Sequence, residues 1–523
     1  MKNSILVTFI LLSIVLCFNN CLSAQDLSSL PNAYSSYLGG SSADQVNSVQ
    51  IDKDGFLYIA GSTMSDNFPV TENAFSTHHM GDLDAYVVKI DINTNKIIWA
   101  TYIGGTSVDY LGDMEIDNQG NVYIIGNTLS SDFPTSENAY DRNFNGASGG
   151  NHGDLYIAKL SNDGSRLLFS TYLGGSGTES YENLELDKYG NIYVCSSTSS
   201  TDYPITPNAL NNSFNGYNSG SYLADIAISK FSNQGKLLYS TYFGGRGNET
   251  GKLIIDDDLN MILAGQSSSN DLPVTDGSYF TSSDTTSGRN GANLFLAVID
   301  SSGKRINHCT YLKGNSPGFI NTVIFKDDKN LLLGGSTTSS DLPVSKNAFQ
   351  KEYHNDQDAF VMEYSLVNNK VNYCTYIGGS NKDICTSIAK TNDGNLLITG
   401  TSLSEDFPVT SNSFDASYNG ASGSTWGGDY FISIINSAMG TQEYSTYLGG
   451  TGNDYWPRAI VNDDKIYIVG NTKSNDFPVT EHALFKNYGG EARQGGDVVF
   501  LRFSIDELLN YPLTSDADNI KVK

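Results

Sequence analysis

Short apolar runs recur along the chain, each bounded by Gly, Asp, Asn or Ser. Runs such as "NVYIIGNT" and "DLYIAKL" are rich in β-branched and aromatic residues and are too short for typical helices, so they predict β-strands. Turns of the form "DNQGN" and "DKYGN" separate neighbouring runs, and this turn chemistry favours tight antiparallel hairpins. No stretch shows a convincing helical period. The pattern therefore predicts an all-β protein.

A unit of four predicted strands, A to D, repeats seven times. Strand A is typified by "YENLELD", B by "NIYVCSST", C by "DIAISKF" and D by "LLYSTYFGG". The tyrosine of strand D marks each copy, at Tyr37, Tyr102, Tyr172, Tyr242, Tyr311, Tyr376 and Tyr447. Four antiparallel strands in every ~65–70 residues predict a seven-bladed β-propeller. A linear solenoid would need polar end repeats, which the sequence lacks.

The two ends of the repeat array predict how the ring closes. The last unit contains strands A, B and C, but no "STYLGG" follows it. The missing strand D is "NAYSSYLGG", at residues 32–40. We therefore predict that residues 32–40 pair with residues 497–504 and complete the last blade, which covers two otherwise unpaired strand edges.

The repeat also sets the domain boundaries that we predict. One propeller domain spans residues 25–506, and residues 507–523 form a short C-terminal tail. The units lie near residues 41–105, 106–175, 176–245, 246–314, 315–379, 380–450, and 451–506 plus 32–40.

Residues 1–24 have the features of a secretory signal peptide. Lys2 supplies the positive charge, "ILVTFILLSIVLCF" supplies an apolar stretch that is short for a membrane span, and Ala24 is a small residue before the cleavage point. A lipid anchor at Cys17 or Cys21 is disfavoured because neither cysteine follows a small residue. We expect a secreted protein, periplasmic or extracellular, whose mature chain does not span a membrane.

Composition narrows the class of partner. The chain has 52 Gly, 32 Tyr, 24 Phe and a net charge of -26. A surface of this sign repels nucleic acid and anionic membranes, both of which attract basic patches. It suits a cation, a polysaccharide or other glycan, or an envelope protein, and we expect a monomer. The cysteines beyond the signal peptide lack C-x-x-C spacing and are expected as buried free thiols, at Cys195, Cys309, Cys374 and Cys385.

The repeat resembles a known family. The pattern "TYIGG…GNVYIIGNT…DFP" is similar to the SBBP family of bacterial β-propeller repeats found in exported proteins. The matching residues of one copy are Thr101, Tyr102, Gly104, Gly105, Asn121, Tyr123, Gly126, Thr128, Asp132, Phe133 and Pro134. The resemblance implies a propeller fold and export. It implies no reaction, because it supplies no catalytic residues.

Two sets of acids recur at fixed places in the repeat. The first set stands at the start of strand A, at Asp44, Asp109, Glu179, Glu249, Asp383 and Asp454, with Gly318 in the remaining copy. The second set opens strand C, at Asp84, Asp154, Asp225, Asp358, Asp429 and Asp497, with Asn293 in the remaining copy. The second set is expected to cap backbone N–H groups.

The strand A acids leave two interpretations open. If strand A is innermost, they would ring one mouth of the central channel. They would then either accept hydrogen bonds from neighbouring backbone or form a site for Ca²⁺, because hard cations bind several oxygens. No other cofactor is indicated.

The B–C loops vary most in length and share a face with the D–A loops. Loops such as "RNFNGASGGNHGD" and "ASYNGASGSTWGGD" mix aromatic and basic residues with Asn, Gly and Ser, a composition suited to sugars or to adaptable protein recognition. The candidate ligand-binding residues are Phe144, His152, Tyr217, Tyr222, Arg289, Tyr418, Trp426 and Arg493. We expect a binding module that recognises a glycan, a cell-envelope component or a protein partner through this face.

Catalytic motifs are absent from the sequence. There is no H-E-x-x-H, P-loop or dinucleotide fingerprint, and the two G-x-S-x-G matches lack a strand-turn-helix context. Two alternatives stay open: a polysaccharide lyase or glycoside hydrolase acting at the same face, and a structural envelope component. Tyr110, Tyr455 and Arg458 are further residues that a lyase could use there.

Overall fold

The chain folds into a ring of β-sheets. A computed structural model describes residues 27–146, 153–216, 225–282, 293–312, 314–354, 356–420, 427–490 and 495–512. Within these ranges the strands form seven four-stranded antiparallel sheets. The predicted seven-bladed β-propeller is confirmed.

The strands follow chain order within each blade. Blade 1 contains β2 to β5, each later blade takes the next four strands, and blade 7 contains β26, β27, β28 and then β1. The strands are β1 (Tyr34–Leu38), β2 (Asp44–Ile51), β3 (Phe56–Thr63), β4 (Asp84–Asp91), β5 (Lys96–Ile103), β6 (Asp109–Ile116), β7 (Val122–Thr128), β8 (Asp154–Leu160), β9 (Leu167–Leu173), β10 (Glu179–Leu186), β11 (Ile192–Thr198), β12 (Asp225–Phe231), β13 (Leu237–Phe243), β14 (Glu249–Ile255), β15 (Met261–Ser267), β16 (Asn293–Ile299), β17 (Ile306–Tyr311), β18 (Gly318–Asp327), β19 (Asn330–Thr337), β20 (Asp358–Ser365), β21 (Lys370–Ile377), β22 (Asp383–Lys390), β23 (Leu396–Ser402), β24 (Asp429–Asn436), β25 (Thr441–Leu448), β26 (Asp454–Asn462), β27 (Lys465–Thr472) and β28 (Asp497–Ser504).

The N-terminal strand closes the ring as predicted. Strand β1 pairs antiparallel with β28, in a register that runs from Tyr34 opposite Arg502 to Leu38 opposite Val498. The hydroxyl of Tyr37 also donates to the carbonyl of Ser474, 2.9 Å away. The first strand is therefore an integral part of blade 7.

The hydrophobic core lies between blades. Each of seven buried clusters draws its side chains from two adjacent blades. In one of them, Phe133 of the Asp-Phe-Pro motif stacks on Tyr156 with ring centroids 4.2 Å apart. The hydroxyl of Tyr172 donates to the carbonyl of Ser130 at 2.7 Å, which satisfies the one polar atom of a fully buried ring. Burial of each such side chain contributes roughly 1.5–3 kcal/mol.

Strand A is the innermost strand of each blade. Asp113 on β6 accepts hydrogen bonds from Ser48 on β2 and from Asn183 on β10, each at 2.9 Å, so the first strands of three blades meet around the central channel. The N–H of Asp82 in a B–C loop donates to the carbonyl of Ser107 in the next D–A loop at 3.1 Å. These two loop types share one end of the ring, which we call the loop face. The opposite end, formed by the A–B and C–D turns, is the turn face.

A short helix overlaps the start of the segment that the sequence predicts as a tail from residue 507. This helix, α1 (Ile505–Leu509), follows β28 and buries Leu508. The side chain of Asn32 donates to Glu507 at 2.6 Å, close to a 3₁₀ turn at Leu27–Ser29. The two ends of the propeller are thus held together beyond the last strand pair. One helical turn is too short to give a hydrophobic period in the sequence.

The four cysteines beyond the predicted signal peptide lie in the strands of the propeller. Cys195, Cys309, Cys374 and Cys385 are free and buried, as predicted. No helix in the described part of the chain is long and apolar enough to span a membrane. Residues 1–24, the predicted signal peptide, lie outside the described residues.

Candidate functional site

The structure describes two of the predicted loop residues, Phe144 and Tyr418. Both are half-buried and each lies against the strand D tyrosine of its own blade, Phe144 with Tyr172 and Tyr418 with Tyr447, at 6.1 Å between ring centroids. Packing explains part of their role. The other six candidates lie outside the described residues: His152, Tyr217, Tyr222, Arg289, Trp426 and Arg493.

The strand A acids begin the innermost strands, but their side chains do not line the channel mouth. All six are fully buried between blades. Oδ2 of Asp109, for example, accepts the N–H of Gly105 at 2.7 Å and the hydroxyl of Ser130 at 2.8 Å. Strand A therefore begins with these acids at the mouth, as expected, but their carboxylates are buried and bonded within the protein, and cation binding by them stays a prediction. The six are Asp44, Asp109, Glu179, Glu249, Asp383 and Asp454.

The strand C acids cap the B–C loops, as predicted. Oδ2 of Asp84 accepts the N–H of Met80 at 2.8 Å, and Oδ2 of Asp154 accepts the N–H of Asn145 at 2.6 Å. The same contact recurs in the other four blades that carry this acid. Each acid therefore fixes the direction in which its loop leaves the blade.

The two sets of acids meet, which the sequence did not reveal. At each junction, the strand C acid of one blade and the strand A acid of the next approach the first glycine of the Gly-Gly pair. A Cβ placed on Gly104 would lie 2.3 Å from Oδ1 of Asp84 and 2.9 Å from Oδ2 of Asp109. Only glycine leaves room for both carboxylates. The pairs are Asp497 with Asp44, Asp84 with Asp109, Asp154 with Glu179, Asp225 with Glu249, Asp358 with Asp383, and Asp429 with Asp454.

Burial and mutual repulsion raise the pKa values of these paired acids. Burial raises the pKa of Asp109 to about 6, and hydrogen bonds from Thr128 and Gly105 limit the rise. Burial and then the charge of Asp454 raise the pKa of Asp429 to about 8. Each pair contains only two carboxylates, and the described residues contain no group of three or more His, Cys, Asp or Glu arranged to hold a metal ion.

Exposed aromatic rings surround the channel mouth on the loop face. They stand one or two residues after the first residue of an innermost strand: Tyr110 on β6 is 38% exposed, Tyr181 on β10 is 59% exposed and Phe319 on β18 is 43% exposed. Tyr455 and Trp456 occupy the same place on β26 and are half-buried. We call these five side chains the aromatic rim.

Two members of the rim have unusual backbone conformations. Tyr181 and Trp456 have φ of 57° and 55°, in the left-handed region that non-glycine residues rarely adopt. Both sit where the strand A to strand B register shifts, which marks a β-bulge in each strand. Bulges redirect side chains and cluster near functional sites, so these two rings are held at the mouth at a local conformational cost.

Charged side chains line the channel below the rim. A cavity of about 200 Å³ is bordered by side chains from strand A of all seven blades. Asp113, Glu115, Glu185, Lys252 and Arg458 supply its charges. Burial, followed by the charge of Asp113, raises the pKa of Glu185 to about 8, and burial lowers the pKa of Lys252. The channel therefore combines acid groups of raised pKa with two cations.

The aromatic rim was only partly anticipated from the sequence. Tyr110 and Tyr455 were singled out, whereas Tyr181, Phe319 and Trp456 were not. The acid at the start of strand A marks the mouth of the channel, so an aromatic residue directly after that position is the pattern that could have identified them.

The SBBP β-propeller repeat matches five segments of the chain: residues 33–69, 98–134, 168–204, 372–408 and 443–478. Each match runs from strand D of one blade through strands A and B of the next, and so includes the Gly-Gly turn and the strand A acid. The predicted resemblance is confirmed. No curated protein sequence matches the chain.

Several solved structures resemble the chain at low identity. A Dyadobacter fermentans protein of unknown function is 10% identical, with 91% of this chain and 100% of that chain covered and a TM-score of 0.40. A PL25 ulvan lyase is 11% identical, with 86% and 96% covered and a TM-score of 0.47. A Staphylococcus aureus virginiamycin B lyase is 9% identical, with 90% and 99% covered and a TM-score of 0.44. At these identities the likeness concerns the fold alone.

Proposed function

We propose that this chain, a seven-bladed propeller that carries SBBP repeats, is an exported binding module that recognises a glycan at the channel mouth of its loop face. The observation that supports the proposal is the aromatic rim. Tyr110, Tyr181 and Phe319 expose their rings on three different blades around one opening. Monomeric proteins keep large aromatic groups exposed together mainly where they bind something.

The chemistry of the mouth suits a saccharide. Aromatic faces cover the apolar C–H faces of sugar rings, and polar groups beside them bond the hydroxyls. Oδ1 of Asn47 and Nε of Arg458, both on residues that border the channel cavity, have no hydrogen-bond partner within the protein. Both atoms are buried, so a water molecule in the channel would satisfy each of them. The net charge of -26 favours a neutral saccharide over a polyanion.

A binding screen against immobilised glycans tests the proposal with a matched control. Tyr181→Ala and Phe319→Ala are expected to weaken binding at least about tenfold each, the effect of losing a well-placed aromatic contact. Tyr189→Ala is the control, because Tyr189 is 62% exposed but lies in an A–B turn on the turn face. Equal binding by wild type and both rim variants would refute the proposal, as would an equal loss in the control. Capture of an envelope protein with no glycan bound would favour a protein partner instead.

A polysaccharide lyase is the second candidate, and the charges in the channel favour it. A lyase needs a base to remove a proton beside a uronate carboxylate and a cation to neutralise that carboxylate. Burial raises the pKa of Glu182 to about 7, close to the range of a useful base, and Arg458 lies on strand A of blade 7. Incubation with acidic polysaccharides, read by the ultraviolet absorbance of unsaturated products, decides between turnover and binding. Loss of that absorbance in Glu182→Gln would assign the base.

Export is part of the proposal and rests on residues 1–24. The mature protein is expected to begin at Gln25, and mass spectrometry of the exported chain checks this. A chain that retains residues 1–24 would contradict cleavage, and a lipid-modified cysteine would favour an anchored structural role in the envelope.

A further inference from the structure

The acid pairs between blades contain buried oxygens without a partner. At the junction of blades 2 and 3, a Cβ on Gly174 would lie 2.4 Å from Oδ1 of Asp154 and 2.7 Å from Oε2 of Glu179. Both residues are fully buried, and neither of these two oxygens accepts a hydrogen bond from the protein. Two buried carboxylate oxygens that approach the same glycine destabilise the folded state unless a cation or a proton lies between them.

An acid pair recurs at six junctions, but only at Asp154 and Glu179 do both facing oxygens lack a hydrogen bond; at the other five the facing oxygen of the strand A acid accepts a backbone N–H. At the first glycine of each junction, a Cβ would lie between 2.3 and 2.9 Å from an oxygen of both acids. In every pair, Oδ2 of the strand C acid holds the B–C loop, and its Oδ1 is buried without a partner. The unpartnered atoms are Oδ1 of Asp84, Asp154, Asp225, Asp358, Asp429 and Asp497.

No basic side chain neutralises these pairs. Within the described ranges, none of the twelve acids forms an ion pair with Lys, Arg or His within 4.0 Å. Each junction therefore places two carboxylates in the interior without an ion-pair partner in the described chain, and only longer-range charges, of His79 on Asp44 and Asp84 and of His354 on Asp358, partly offset the rise in pKa that burial causes. One divalent cation per junction would balance the charge.

The seventh junction supports a shared ligand. Between blades 4 and 5, Gly318 replaces the strand A acid, Asn293 replaces the strand C acid and Lys313 replaces the first glycine. The two acids have separate structural tasks elsewhere, one holding the Gly-Gly turn and the other the B–C loop. Separate tasks give no reason for the acids to be lost at the same junction. A ligand that needs both acids gives one.

We infer that the six acid pairs bind hard divalent cations of the Ca²⁺ type, one at each acid-bearing junction. Oxygen-only donors without His or Cys favour Ca²⁺ over Zn²⁺. Because each pair supplies two carboxylates, backbone carbonyls and water would complete the coordination. A bound cation would tie the B–C loop of one blade to the first strand of the next. These cations would act on the ring as a whole, whether or not a glycan binds at the mouth.

Calcium content and thermal stability test the inference on the full mature chain. After chelation and gel filtration, titration with CaCl₂ is expected to show up to six sites per chain, matching the six acid pairs. The melting temperature of the chelated protein is expected to be lower by roughly 10 °C, and to be restored by CaCl₂ but not by NaCl of equal ionic strength. An unchanged melting temperature together with no bound calcium would overturn the inference. Stability that depends on acidic pH but not on CaCl₂ would also overturn it, because a shared proton would then join the acids.

Paired variants count the sites. Asp154→Asn combined with Glu179→Gln is expected to lower the calcium stoichiometry by one. The control, Asp117→Asn, removes an acid of the turn face and is expected to leave the stoichiometry unchanged. An unchanged count in the double variant would overturn the inference.

A further variant tests the inference by adding an acid pair rather than removing one. Asn293→Asp, Gly318→Asp and Lys313→Gly together rebuild the acid pair at the junction between blades 4 and 5. This triple variant is expected to bind one additional calcium ion, measured by metal analysis of the folded monomer. A folded triple variant with the wild-type count would contradict the inference.

Discussion

The two faces of the propeller stabilise their carboxylates in opposite ways. On the turn face of the first three blades, the Asp of the A–B turn faces a lysine from strand C, in the pairs Asp52–Lys89 at 3.6 Å, Asp117–Lys159 at 3.2 Å and Asp187–Lys230 at 3.7 Å. Each of these lysines also lies over the ring of a strand B tyrosine, with Lys159 4.5 Å from the ring centroid of Tyr123. On the loop face, exposed Asp66 and Asp271 pair with His79 and Arg246, but the buried acids at six blade junctions face one another.

The difference appears directly in the pKa values. Although burial acts to raise it, hydrogen bonds from Asn121 and Gln119 and the charge of Lys159 hold the pKa of Asp117 below its ordinary value. Asp109, eight positions earlier at the other end of the same strand region, has its pKa raised to about 6 by burial. The turn-face acids of the first three blades have lysine partners, whereas the buried acid pairs of the loop face have no ion-pair partner among the described residues and depend on protons or cations from solution. Solution conditions should therefore act on one end of the ring.

The largest expected effect comes from filling the space between two acids. Gly104→Ala places a methyl group against Asp84 and Asp109, and we expect it to lower the free energy of unfolding by about 3 kcal/mol or more. Gly394→Ala is the control on the turn face. It has φ of 86° with no atom within 4 Å of the new Cβ, so it should cost only about 1 kcal/mol of backbone strain. Urea unfolding measures both variants, and equal decreases in the free energy of unfolding would show that the acid pair does not require glycine for steric reasons.

When divalent cations are removed, acid-to-amide substitutions on the two faces should change the free energy of unfolding in opposite directions. Asp117→Asn leaves Lys159 without its carboxylate partner and should lower the free energy of unfolding by about 1–2 kcal/mol, with or without CaCl₂. Asp84→Asn relieves a repulsion in chelator and should be neutral or stabilising by up to about 1 kcal/mol, but should destabilise the protein in CaCl₂. Urea unfolding in both media measures this, and a cation-independent loss for Asp84→Asn would remove the contrast.

The channel that joins the faces should give the protein a pH dependence of its own. The pKa of Glu185 is raised to about 8 by burial and by the charge of Asp113, although the charge of Lys252 acts to lower it. Burial and the charge of Glu185 in turn raise the pKa of Glu115. The folded state holds the proton of Glu185 more tightly than the unfolded state, so the contribution is present at low pH and is lost as pH rises toward 8. Glu185→Gln should raise the melting temperature by about 3 °C at pH 8 and leave it nearly unchanged at pH 5. An equal shift at both pH values would exclude titration as the cause.

The smallest stability effect is expected at the aromatic rim. Tyr181→Gly removes a side chain from a residue at φ of 57°, so relief of strain and loss of packing should nearly cancel, within about 1 kcal/mol. Glycan binding should nevertheless fall as in Tyr181→Ala. A large loss of stability would show that Tyr181 is a packing residue of the loop face.

The fold could be predicted because one pattern is repeated seven times. The strand D tyrosine, the hairpin turns and the incomplete last unit together determine blade number and ring closure, since each reports on local backbone or on a missing partner. The termini were predicted less well, because α1 is a single turn fixed by contacts such as Asn32 with Glu507 rather than by a period.

The candidate site could be predicted only in part, because its contacts join different repeats. Asp84 and Asp109 were each recognised within a repeat, but a repeat alignment does not show that they converge on Gly104 of the junction. Tyr181 and Trp456 reach the mouth through β-bulges, which depend on tertiary packing around the channel. Most of the predicted loop residues remain predictions, since they lie outside the described residues.

Because β1 pairs with β28, the ring closes only when both strands are present. A chain that ends before residue 497 lacks β28, so both β27 and β1 lose their pairing partner in blade 7. Their exposed backbone donors and acceptors could then pair with strands of other chains. Because the two partners are the first and last strands to be synthesised, the final step of assembly must wait for the whole translation product. A chain cut before β28 is therefore expected to lose the closure of blade 7.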